Sequence, residues 1–201
     1  MLTLKKVAVT GGISSGKSLV CRYLSEFGAH VVDADQIVHQ LLTPDSELGQ
    51  QVIKLIGPQI VVGKKIDRSR IAKIVFLNPR LLKSLENLLH PPVYEEIERQ
   101  YDAVHKQKEP SPLFVAEIPL LFETGGDKLF DLTVAVVSQQ ETCWKRYRKK
   151  TGHEREDFNR RAACQLTPDQ KAERADIAIH NEGTAEDLKK QTKKIFDLLV
   201  K

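Results

Sequence analysis

Eight consecutive residues carry the first recognisable chemistry of the chain. Gly11-Gly12-Ile13-Ser14-Ser15-Gly16-Lys17-Ser18 fits G-x-x-x-x-G-K-S/T, the spacing of a phosphate-binding P-loop. Glycines let the backbone wrap an anion with its N–H groups turned inward. A helix opening near Gly16 would aim the positive end of its dipole at the same anion. Lys17 could then reach the β- and γ-phosphates of a nucleotide, and the Ser18 hydroxyl could ligate Mg²⁺. A second constellation is Val32-Asp33-Ala34-Asp35. Two carboxylates at i and i+2 of an extended chain point the same way. One could take the proton of an attacking hydroxyl while the other held substrate or a Mg²⁺-bound water. Spacing alone leaves open which is the base, and it leaves Asp35 open as the cap of a helix over 36–42. A third is a basic run: Lys145, Arg146, Arg148, Lys149, Lys150, Arg155, Arg160 and Arg161.

These residues need elements to hold them. Val7-Ala8-Val9-Thr10 reads as a short buried strand running into the glycines. The stretch 18–27 carries Leu19, Val20, Leu24 and Phe27 on one helical face and ends at Gly28. Val31-Val32 is a second strand. Continuous apolar runs at 113–116 and 132–137, and a short one at 177–179, suit strands covered on both faces. Leu188, Ile195, Leu198 and Leu199 mark a closing amphipathic helix. Strands alternating with helices predict an α/β fold on a parallel sheet. The block 40–108 shows little strand signal and reads as a helical insertion. Within it Gly57-Pro58 breaks a helix, Asn78-Pro79 opens one, and His90-Pro91-Pro92 is expected to stop it.

Composition narrows the classes. The chain has 201 residues, 41% hydrophobic and 29% charged, so it can bury a core and is not a disordered tract. No apolar run approaches the roughly 20 residues of a membrane span, and the opening residues show no export signal. Cys21, Cys143 and Cys164 are widely spaced, with no CxxC, which argues for reduced thiols and a cytoplasmic location. The net charge of +4 is mild and suits a polyanionic partner or a plainly solvated surface. No NKxD base-recognition motif of a GTPase is present, and the run 114–119 does not end in the Asp or Asp-Glu of motor and transporter ATPases. An early P-loop and a late basic segment suit a small-molecule kinase whose basic segment closes as a lid. Alternatives are a nucleoside monophosphate kinase and a P-loop nucleotide-binding regulator or nucleic-acid-associated ATPase.

The motifs together resemble the dephospho-CoA kinases. The likeness runs through Thr10 and the P-loop, Asp33-Ala34-Asp35, Leu89-His90-Pro91, Pro119-Leu120-Leu121-Phe122-Glu123, Lys145-Arg146, Gln165, and Ala175 through Gly183. The resemblance implies a P-loop kinase fold with a five-stranded parallel sheet. It implies a core of 1–39, 109–138 and 167–201, an acceptor-binding insertion of 40–108 and a lid of 139–166. The implied reaction moves the γ-phosphate of ATP, with Mg²⁺, to the ribose 3′-hydroxyl of dephospho-CoA, the last step of coenzyme A synthesis. Asp35 would be the base beside Asp33, and Arg146 the lid arginine. Thr10, His90, Pro91, Leu120, Phe122 and Glu123 would lie on the acceptor side. Asn181 and Gly183 would fall where the family holds adenine. Partners would be ATP and dephospho-CoA, without nucleic acid or membrane; a monomer and an oligomer both fit. Two departures stand out: Ser14 replaces a usual glycine, and Leu19 a frequent threonine.

Overall fold

The structure is a computed structural model that describes residues 4–201; the first residues of the segment read for an export signal lie outside it. The chain folds into two compact units, one formed by the residues up to Asp33 with Tyr101–Lys201 and the other by Ala34–Gln100.

The first unit is built on a parallel sheet of five strands. They are β1 (Lys5–Gly11), β2 (His30–Asp33), β5 (Leu113–Glu117), β6 (Leu132–Val137) and β7 (Ile177–His180). Their spatial order is β2-β5-β1-β6-β7, so β1 is central. Alternate side chains of each strand face opposite layers. Val7, Val9, Val115, Val134, Val136 and Ile179 join one core with Val20 and Leu24 of α1 (Lys17–Glu26) and Leu188, Phe196 and Leu199 of α9 (Ala185–Leu199). Phe27 and Phe196 meet with ring centroids 5.8 Å apart. On the opposite layer Tyr101 packs edge-on against Phe114 of β5. The five-stranded parallel sheet is therefore as the resemblance implied, and α1 closes at Phe27 with Gly28 following at φ +104°.

Two helices follow β6, α6 (Gln140–Thr151) and α7 (Arg155–Ala162), then α8 (Pro168–Arg174). Cys143, Tyr147 and Phe158 make a small core of their own, packed against Trp144, Ala162 and Ile13 of the P-loop. The Tyr147 hydroxyl donates to Asp157, and with Arg161 beside it this holds the Asp157 carboxyl at about 2.

The second unit contains α2 (Ala34–Leu41), α3 (Glu47–Ile56), α4 (Arg68–Val75) and most of α5 (Pro79–His105). Its core gathers Leu42, Val52, Ile56, Ile60, Ile71, Val75 and Leu85. Val38 of α2 packs there too, which is why α2 belongs to this unit while the sequence pattern sets the insertion at 40. Asn78 Oδ1 accepts from Leu81 N at 3.2 Å, as the Asn-Pro pair predicts.

One feature here was not foreseen, and one expectation fails. The block holds a small antiparallel hairpin, β3 (Val61–Val62) with β4 (Lys65–Ile66), turning at Gly63 with φ +59°. More notably, α5 does not stop at His90: it runs 27 residues with Pro91 and Pro92 inside it. Prolines disfavour a helix interior. Buried Leu85, Val93, Ile97 and Val104 continue one face across them, at steps near whole helical turns, so burial on either side outweighs the local cost.

Candidate active site

Carboxyl edges of parallel strands are where α/β sheets bind ligands. In the first unit that edge collects the P-loop after β1, Asp33 ending β2, Glu117 ending β5, Ser138 after β6 and Asn181 after β7.

The P-loop conformation depends on its glycines. A Cβ on Gly11, at φ +155°, would sit 2.2 Å from the carbonyl oxygen of Val136 on the neighbouring strand. One on Gly16, at φ +107°, would sit 2.2 Å from Asn181 Nδ2. Ser14 adopts φ +56° and is the one non-glycine with positive φ among the described residues. That value falls in the narrow left-handed region open to L-residues, so the loop keeps the turn a glycine would make at some conformational cost. The Leu19 side chain packs against the sheet core, and its backbone N–H donates to Gly16 O at 3.0 Å in the first turn of α1.

Lys17 is nearly buried, and its ammonium donates to Gly12 O at 3.0 Å, curling over the loop. Ser18 Oγ donates to Glu117 Oε1 at 2.8 Å. Glu117 is a buried carboxylate whose pKa burial raises; Ser18 and Lys17 pull it down, and Asp33 in register beside it pushes it up. Glu117 is a site residue that sequence reasoning passed over. Its signal was present, since an apolar run ending in a carboxylate on a strand next to β1 places that carboxylate opposite the P-loop serine.

A buried carboxyl that binds its proton more tightly when folded weakens the fold as pH rises above the ordinary carboxylate range. Glu117→Gln should therefore leave the protein as stable at pH 7 as the parent, or more so, while lowering the phosphoryl transfer that the resemblance implies. Thermal unfolding and initial rates on one preparation check this; a clear loss of stability at pH 7 would contradict the assignment.

Arg146 is also tied to the loop. Its guanidinium donates to Ser15 O at 3.3 Å, Ser138 Oγ at 3.0 Å and Asn181 O at 3.0 Å. Asn181 Nδ2 donates to Ser15 O at 2.8 Å. This cross-brace joins the ends of β1, β6 and β7. The Ser15 hydroxyl is buried with no hydrogen-bond partner among the described residues. Gly183 lies two residues past Asn181, in the exposed loop before α9.

The remaining residues fall as follows. Thr10 is buried and its hydroxyl donates to Pro119 O at 3.2 Å. Leu120 is half-buried and Phe122 buried, while both oxygens of Glu123 face protein donors, Leu166 N and the Lys171 ammonium. In the second unit His90 and Pro91 lie inside α5, not in a turn, and burial lowers the His90 pKa, with Lys83 adding to the effect. Asp33 and Asp35 do not share an extended stretch: β2 ends at Asp33, and α2 begins at Ala34. Asp35 therefore occupies the first turn of α2, where a negative charge suits the helix dipole, and does not act as a cap preceding the helix. Arg68 lies 3.7 Å from its carboxylate and donates to its carbonyl at 3.3 Å.

Comparison with known proteins gives a consistent set. The family model described as CoaE, dephospho-CoA kinase, matches residues 5–187. A dephospho-CoA kinase of Protochlamydia amoebophila is 45% identical over 199 residues, covering 99% of this chain and 98% of that one. One from Chlamydia abortus is 41% identical over 196 residues, covering 98% and 96%. Among solved structures, TT1252 from Thermus thermophilus superposes with a TM-score of 0.80 at 31% identity, covering 98% of both chains. A dephospho-CoA kinase from Campylobacter jejuni gives 0.69 at 26%, covering 97% and 96%. A shikimate kinase from Acinetobacter baumannii, at 0.58 and 16% over 98% and 94%, shares the fold.

Proposed function

The chain belongs to the dephospho-CoA kinase family, and on that footing we propose that it transfers the γ-phosphoryl group of ATP to the ribose 3′-hydroxyl of dephospho-CoA. The match over residues 5–187 carries this reading. The P-loop with its Ser18–Glu117 bond suits the chemistry.

In the proposed reaction the substrate oxygen bonds to the γ-phosphorus as the bond to the leaving ADP oxygen breaks. The hydroxyl proton passes to the Asp35 carboxylate. P-loop amides cradle the phosphates, and Lys17 neutralises charge that grows on the bridging oxygen. Ser18, Glu117 and Asp33 form an oxygen-only, acidic donor set, which fits Mg²⁺; when bound, the ion supplies charge neutralisation at the β- and γ-phosphates. Asn181 and Gly183 border the adenine. By the family resemblance, Thr10, Leu120, Phe122, Glu123, His90 and Pro91 bind the acceptor. The stretch 139–166 acts as a lid, and Arg146, already braced to Ser15 O of the P-loop, acts on the nucleotide from there. A cytoplasmic location follows from this reading. Among the described residues no helix is long and apolar enough to cross a membrane.

An acceptor panel tests the assignment. With ATP and Mg²⁺, dephospho-CoA should be phosphorylated far faster than AMP, CMP or adenosine, measured as ADP release. Equal or faster turnover of AMP would favour a nucleoside monophosphate kinase instead.

A further inference from the structure

Lys171 of α8 is wholly buried and has no part in the reaction described above. Its ammonium donates to Pro119 O at 2.8 Å and pairs with Glu123 Oε1 at 2.8 Å and Oε2 at 3.1 Å. Each acceptor leads to the P-loop. Pro119 O also accepts from the hydroxyl of Thr10, the residue before Gly11. Glu123 Oε1 also accepts from Leu166 N at 2.8 Å. The neighbour of Leu166, Gln165, accepts from Ile13 N on its Oε1 at 3.0 Å. Ile13 in turn packs against the small core of α6 and α7.

We propose that Lys171 is a positioning residue for the nucleotide: through Pro119 and Glu123 its ammonium fixes the two segments that grip the P-loop, one at Thr10 and one at Ile13. This rests on the ATP-dependent reaction proposed above. Stability alone does not explain the pair. A buried Lys–Glu pair is commonly no better for stability than apolar side chains of the same volume, because both charges lose their water. The helix does not need it either, since α8 is closed at its start by Thr167 and Gln170 in a capping box. What apolar side chains could not supply is the set of directed bonds to two separate stretches of backbone.

The test uses the full chain and four variants: Lys171→Met, the double variant Lys171→Met/Glu123→Leu, Gln165→Ala, and Gln165→Ala combined with the double variant. Michaelis constants for ATP and for dephospho-CoA are measured beside thermal unfolding. The double variant removes both charges together, so it should fold with an unfolding temperature at or above that of the parent. Its KM for ATP should nevertheless rise about tenfold, as a misplaced P-loop requires; because Glu123 lies on the acceptor side, KM for dephospho-CoA is compared in Gln165→Ala, where it should change less than about twofold. Gln165→Ala cuts the last link without touching the buried pair and should raise KM for ATP in the same way. Combined with the double variant it should add less than its separate effect, because the two act in series. A simple loss of folded protein lowers kcat and leaves KM alone. A wild-type KM for ATP in either the folded double variant or Gln165→Ala overturns the proposal. So does a fall in kcat alone that matches the lost folded fraction. A parent protein that does not phosphorylate dephospho-CoA would sink the functional reading and this inference together, whereas an active parent with unmoved constants in the variants sinks only the inference.

Discussion

Lys17→Ala is expected to lower kcat by ~10²–10³ while the protein stays folded and still binds ATP. In the structure the ammonium is nearly buried and bonded to Gly12 O, which holds it over the mouth of the loop without help from solvent. Such a fixed charge interacts strongly with a developing phosphate charge, because it need not reorganise when the bond to ADP breaks. The P-loop backbone amides, proposed above to cradle the phosphates, are left untouched by the substitution. The loss should therefore appear in kcat at saturating ATP and dephospho-CoA. Lys17→Arg should rescue poorly, since a planar guanidinium is larger than the point charge the loop encloses. Circular dichroism and nucleotide binding establish that the variant is intact. Near-parental turnover in a folded Lys17→Ala protein would remove the P-loop from the chemistry.

The second large effect belongs to Asp35. A ribose hydroxyl is a poor nucleophile at neutral pH, and a carboxylate that orients it and takes its proton contributes ~10²–10⁴ in rate. Asp35→Asn keeps the size and much of the hydrogen bonding but cannot act as the base, so kcat should fall by that factor with ATP binding nearly unchanged. Stability should hardly move. The Arg68–Asp35 pair is exposed on both sides, and exposed pairs contribute at most about 1 kcal/mol. If the transition state is loose, little proton transfer has occurred at the barrier and positioning carries more of the effect. Asp35→Ala should then be slower than Asp35→Asn. Asp33→Asn under the same saturating conditions is the control. A crippled Asp33 variant beside a healthy Asp35 variant would exchange the two roles.

What the sequence revealed, and what it hid, follows from the range of the interactions. The P-loop and Asp33-Ala34-Asp35 are local patterns, and both appear at strand ends on the sheet's carboxyl edge or directly after it. The alternation of apolar runs was enough for the five-stranded sheet. The i, i+2 argument for the aspartates failed because it assumed that the strand continued, whereas the helix starts between them. The stop at His90-Pro91-Pro92 failed because a local proline penalty was weighed without the burial of Val93 and Ile97 beyond it. The hairpin at 61–66 is two residues per strand, too short for any periodicity to register. The cross-brace of Arg146 joins residues 131 and 35 positions apart in sequence, and no spacing rule reaches that far. Lys171 was hidden for the same reason: a lysine in a polar helix reads as surface until the fold buries it.

The three thiols occupy very different surroundings. Burial raises the pKa of Cys21 well above that of an ordinary thiol, with Glu117 adding to the effect, and burial also raises that of Cys143. Both are therefore poor in thiolate and shielded from reagents. Cys164 is exposed, at the end of the basic segment and next to Gln165. The unaltered chain thus carries its own attachment point for a fluorescent label. A maleimide dye used under native conditions has one open address, adjacent to the residue that grips Ile13, and no cysteine needs to be engineered in or out to watch that linker respond to nucleotide.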